Sequence, residues 1–355
     1  MVRHFQWHDR NVATFPAPVT EAIESIRLAI ANALRDRVIG DDADAKRAAV
    51  MLAPGERWFP ESSPLITVHS DASMFIGGMR AILFQSLHPL AMAGVAQHSD
   101  YRNDPWGRLQ RTADFVAATS FAPAEVAQQA VDRVCAVHSR VSGVASDGRA
   151  YSASDPHLLR WVHIAEVDSF LRAHQTYGAH PLQAAGCDQY VADMAVIARK
   201  LGVPAPPTSL RGLRDQIAQY RPELRGTSES RDAAKYLLIE PPLDLVARVP
   251  YSLIAAAAIA ILPAWARADL RLPWLPLTER AVVKPIGSLI AAAAIAILPT
   301  WARADLRLPW LPLTERAIVK PIGSLIATTI RWATSVDGET YGVPVTTSDE
   351  VAPTA

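Results

Sequence analysis

Three polar side chains stand where apolar ones would cost less. In "LLRWVHIAEV", residues 158–167, His163 shares a helical stripe with Leu159, Val167 and Phe170, at spacings of i, i+4, i+8 and i+11. In the stretch before it, His138 shares a stripe with Val131, Val134 and Val141. In "MFIGGMRAILFQSLHP", Arg80 shares one with Ile76, Leu83 and Leu87. A buried imidazole costs free energy unless its nitrogens find partners. A guanidinium cannot shed its charge, so a buried one demands an anion.

Taken singly, each has a plain explanation. An inward histidine is usually a hydrogen-bonded core residue. An inward arginine usually belongs to an ion pair, and Asp71, Glu125 or Glu166 would serve as its carboxylate. Taken together, two inward imidazoles and one inward guanidinium suit a haem. Iron takes an imidazole nitrogen, the distal pocket takes a polar donor, and the propionates take a cation. A zinc or di-metal centre is the competing reading. "HIAE" is His-x-x-Glu, the reverse of the Glu-x-x-His of di-iron bundles, and that reading needs more inward carboxylates than these stripes supply. His88, next to a proline at a helix end, reads as a carbonyl cap. His98, His157 and His174 read as exposed. No Gly-rich phosphate loop, nucleophile elbow or H-E-x-x-H motif occurs.

The elements that position these residues are helices. "PVTEAIESIRLAIANALRDRVIG" runs from a Pro/Thr start to a Gly stop, and "DASMFIGGMRAILFQSLH" is halted by Pro89, with a shorter helix following to about His98. "RLQRTADFVAATSFA" and "PAEVAQQAVDRVCAVHSRVSG" come next. "SDPHLLRWVHIAEVDSFLRAHQTYG" opens on Asp155 as cap with Pro156 at the first helical position. Further helices are expected near 186–201, 208–220 and 229–239. No stretch shows sustained period-2 alternation. The fold class is therefore all-α: a single large helical domain with a core over residues 1–251.

The last third holds a tandem repeat. Residues 252–287 and 288–323 differ only at Ala264/Thr300 and Val282/Ile318. Solenoids usually carry three or more degenerate copies, so this is read as a duplication inside an existing domain. The segment 252–335 completes or extends that domain, and 336–355 reads as a disordered tail. "SLIAAAAIAIL" has eleven apolar or small residues before Pro263, short of the ~20 a membrane span needs. A buried helix is the plain reading. Trp and Arg flanking the run allow a peripheral membrane contact.

Composition bounds the function. Lys+Arg and Asp+Glu are 35 each, giving zero net charge, so neither nucleic acid nor another polyanion is expected as partner. Two cysteines, Cys135 and Cys187, cannot build a disulfide framework, and a reduced, cytoplasmic setting fits. The start, "MVRHFQWHDR", lacks the apolar core of a signal peptide.

"GGMRAILFQSLHPLAMAGVAQHSDYRNDPWGRLQRT", "VHSRVSG" and "YSASDPHLLRWVHIAEVDSFL" together resemble the MpaB oxygenase family, which includes latex clearing protein, a rubber oxygenase. The resemblance runs from about 55 to 250 and more weakly through one copy of the repeat. It implies a globin-related helical core, one haem b, and dioxygen as co-substrate in oxidising an apolar, often isoprenoid, substrate. By motif, His163 matches the axial iron ligand, His138 a second histidine near the haem, and Arg80 an arginine beside the pocket, both with catalytic roles. Two places depart from latex clearing protein: Leu83 and Phe84 stand where it has a Lys-Thr pair, and no glutamate stands at the upstream spacing of the family's catalytic base. Glu61 and Asp71 are only nearby. The expectation is a haem-dependent oxygenase for a small apolar substrate. The alternative is a non-catalytic helical haem- or lipid-binding protein.

Overall fold

A computed structural model describes residues 48–178, 180–243 and 245–272. Helix starts follow local chemistry. Helix α1 (Pro64–His69) begins where Ser63 accepts a hydrogen bond from the Leu65 amide, with proline at the first turn. Helix α2 (Met74–Gln85) stops short of Pro89, which then opens α3 (Pro89–His98). Asp104 caps α4 (Pro105–Phe121), and α5 (Ala124–His138) follows Pro123. Asp155 caps α6 (Pro156–Tyr177) as expected, accepting from the His157 amide at 2.9 Å. After α7 (Ala184–Lys200) and α8 (Leu210–Tyr220), a 3-10 turn (Arg221–Glu223) leads to α9 (Ser228–Ile239). Helices α10 (Leu245–Ala260) and α11 (Ala264–Asp269) end the described chain.

The all-α expectation holds with one correction. Strands β1 (Ser142–Val144) and β2 (Ala150–Ser152) pair antiparallel, Gly143 opposite Tyr151, across a turn in which Gly148 takes φ +83°. Three-residue strands are too short for alternation to be read in the sequence.

Helix α6 is the axis of the core. Trp161, Ile164, Ala165, Val167 and Leu171 make a broad buried apolar face on it, while Arg172 stays exposed. Helix α2 packs along it, and the Trp161 indole N–H donates to the Gln85 carbonyl at 3.0 Å. Helix α10 also packs on α2. There Ile254, Ala257 and Ala258 join Ile76, Met79, Ala173 and Tyr177 in a second apolar cluster. Residues 252–272 of the first repeat copy are thus built into the core. Tyr177 Oη donates to the Ala257 carbonyl at 3.1 Å. The rest of the repeat, the stretch 336–355 and the helix expected over 18–40 lie outside the described residues. Among the described residues no helix is long and apolar enough to cross a membrane.

Candidate functional site

His163 and Glu166 are three residues apart on α6, hence on one face of the helix. Both line a cleft of about 530 Å³, part of it open to solvent. His138 enters it from the last turn of α5 and His69 from the last turn of α1. Phe115 and Val116 of α4, Leu159 of α6, and Met194, Ile197 and Leu201 from α7 and its end make the apolar walls. The structure therefore brings together the two histidines that the stripes turned inward.

The four polar groups differ in state. His163 is 7% exposed, and its Nε2 is buried with no hydrogen-bond partner among the described residues. Burial pushes its pKa down to about 4, so the ring is neutral at physiological pH. His69 is satisfied on both sides. Ser120 Oγ donates to the Val116 carbonyl, so it accepts from His69 Nδ1–H at 2.7 Å. Tyr190 Oη, 3.1 Å away, then donates to Nε2. Burial, and secondarily His174, push the His69 pKa to about 3. Burial also lowers that of half-buried His138. Glu166 moves the opposite way: burial raises its carboxyl to about 7.

Arg80 stands elsewhere. It is not among the cleft-lining residues, and the anion it demands is Asp168, not Asp71, Glu125 or Glu166. Its Nη2 donates to Asp168 Oδ2 at 2.7 Å, Nη1 to Ser169 Oγ at 2.5 Å, and Nε to the Ile261 carbonyl at 3.1 Å. All three partners belong to the protein, so the cation foreseen for a haem propionate is already engaged. His174, expected exposed, is 1% exposed. His88 does not cap a carbonyl: its Nε2 meets Glu223 at 3.3 Å.

His163 fits a haem's need for a protein nitrogen: it is a neutral imidazole with one unpartnered nitrogen, held among apolar walls. Two of the cleft's polar residues were not assigned to it from the sequence. In the sequence Glu166 reads as a di-metal ligand or as a partner for Arg80, although "HIAE" puts it one turn from His163. His69, in "LITVHS", gave no comparable signal.

A helical domain that presents an orphaned imidazole in an apolar cleft leaves one nitrogen free for a ligand. Residues 66–284 match the family model for the catalytic domain of the ER-bound oxygenases mpaB/B' and rubber oxygenase. The chain belongs to this oxygenase family. No curated protein and no solved structure matches it.

Proposed function

We propose that the chain is a haem-dependent oxygenase that uses dioxygen on a small apolar substrate, isoprenoid or lipid-like. The buried, unpartnered Nε2 of His163 carries this reading, and family membership supports it. His163, kept neutral by its burial, would hold the iron. Bound there, haem b supplies the redox chemistry with dioxygen that no side chain can. The apolar walls take the substrate and exclude water. Glu166, with its carboxyl near neutrality, holds or releases a proton at the cleft surface. His138 offers a second, neutral imidazole at the same cleft. Arg80 acts as a positioning residue: through Asp168 and Ser169 it fixes α6, the helix that carries His163 and Glu166. The two free thiols suit a reducing, cytoplasmic compartment, and an apolar substrate suits peripheral contact with a membrane.

The test is spectroscopic. Full-length protein supplied with haemin should develop a Soret band, His163→Ala should lose most of it, and His138→Ala should keep it. Equal haem content in His163→Ala and wild type overturns the axial assignment. Oxygen uptake with unsaturated lipids then separates an oxygenase from a haem carrier.

A further inference from the structure

A second constellation lies outside the cleft. Nitrogens of His88 and His157 and a carboxylate oxygen of Glu223 all fall within 4.8 Å of one another. Three separate segments bring them together: His88 at the N-cap of α3, His157 in the first turn of α6, and Glu223 at the end of the 3-10 turn. The Arg225 amide donates to the Leu87 carbonyl at 2.9 Å, tying the segment after Glu223 to the residue before His88.

The hydrogen bonds fix the His157 tautomer. Tyr220 Oη has one hydrogen, donated to the His157 carbonyl at 2.8 Å. Its 3.2 Å contact with His157 Nδ1 must then run from Nδ1–H to the hydroxyl oxygen. Nε2 is left facing Glu223, 3.0 Å from Oε1 and 2.9 Å from Oε2. A ring nitrogen and a carboxylate at that distance hold either a proton or a metal ion between them. His88 joins them. Its side chain is 1% exposed, and its Nε2 is 3.3 Å from the same Glu223 oxygen. A buried ring whose Nε2 shares one carboxylate with His157 gives the cluster a second imidazole donor.

We propose that His88, His157 and Glu223 bind a zinc-class divalent transition metal, with water completing the shell. Two imidazoles and a carboxylate are a zinc donor set. Tetrahedral zinc, with bonds of about 2.0–2.2 Å, separates its donors by roughly 3.3–3.6 Å. The 2.9 and 3.3 Å contacts need only slight opening. The side chains of His157 and Glu223 are 47% and 39% exposed, which leaves the metal a path in and water a place to bind. Tyr220 is the outer partner that holds His157 in the ligating tautomer. This inference is independent of the haem reading.

The experiment uses the full-length protein, stripped with chelator and titrated with Zn²⁺ against a chromophoric zinc indicator. Wild type should bind about one equivalent that Glu223→Gln and His157→Ala lose and that His98→Ala keeps. Tyr220→Phe should weaken binding by about 10–100-fold. Glu223 is surface-facing, so its variant tests the site even if His157→Ala folds poorly. Co²⁺ on wild type should give the visible bands of a tetrahedral nitrogen–oxygen site. A proton shared in a His–Glu–His network, with no metal, is the opposing outcome: no zinc taken up, or unchanged uptake in Glu223→Gln, overturns the proposal.

Discussion

Arg80 Nη2 and Asp168 Oδ2 meet at 2.7 Å across the α2–α6 packing, with side chains 0% and 5% exposed. Asp168 also accepts from Arg172 Nε at 3.0 Å, but the Arg172 side chain is 49% exposed. Removing one member of a buried pair strands the other charge, at about 3–5 kcal/mol. Arg80→Leu should lose that much in urea unfolding. Arg172→Leu, on the screened side, should lose under about 1 kcal/mol. Arg80→Leu with Asp168→Leu should recover much of the loss, because no buried charge then remains. Equal small losses from both single changes would show that Arg80 is not holding α6.

Glu166 makes stability depend on pH in a direction opposite to the buried histidines. Its carboxyl moves from 4.5 to about 7 on folding. Between those values the native chain holds a proton that the unfolded chain has released. Stability therefore falls as pH rises through that window, and stays reduced above it. His163 moves from 6.5 to about 4, so its contribution is present above 6.5 and is lost as pH falls toward 4. Glu166→Gln should thus stabilise the protein at about pH 8 and do little at about pH 4.5. Urea midpoints at the two pH values measure it. The same shift at both would show that the carboxyl titrates normally.

Helices α2 and α6 approach closely at Gly77. A Cβ there would lie 2.8 Å from Phe170 Cδ1 and 3.1 Å from Phe170 Cα. Its neighbour Gly78 meets only Phe170 Cε1 at 4.0 Å. Gly77→Ala should destabilise by about 1–3 kcal/mol through overpacking, despite alanine's better helix propensity. Gly78→Ala should gain up to about 1 kcal/mol from that propensity. Thermal melts of the two variants compare them directly, and matching signs would mean that the helices are not in contact at Gly77.

Much of this was legible in the sequence, because helix periodicity and proline-led starts are local. The Asp155-Pro156 start of α6 and the inward stripes of His163, His138 and Arg80 follow from spacing within single helices. What escaped depends on which helix meets which. The partner of Arg80 is Asp168 because α2 and α6 cross in one particular register, and nothing near Arg80 in sequence encodes that. His174 is buried because α6 is enclosed to its last turn. His157 sits at a helix start in the sequence and reads as exposed, as it is; only the fold brings Glu223 to it.

The duplication yields the last prediction. Ile261, whose carbonyl accepts from Arg80, and Ala257, whose carbonyl accepts from Tyr177, both belong to the first copy. Residues 252–272 of that copy are therefore fixed in the core, and one place in the core takes one copy. Joining Gly287 to Ser324 removes residues 288–323 and leaves the core contacts untouched. Joining Tyr251 to Ser288 removes the first copy instead, and brings an almost identical sequence into the same place. The two products differ only by Ala264→Thr and Val282→Ile. Ala264 is exposed at the start of α11, where a surface substitution costs within about 0.5 kcal/mol. Both deletions should match wild type in soluble yield, helicity and haem content, since lengthening or shortening a peripheral connection costs little. Reduced self-association or membrane binding is the expected difference, because the surplus copy carries the same apolar face. If joining Gly287 to Ser324 unfolds the protein, the second copy is part of the core and the two units are not alternatives for one place.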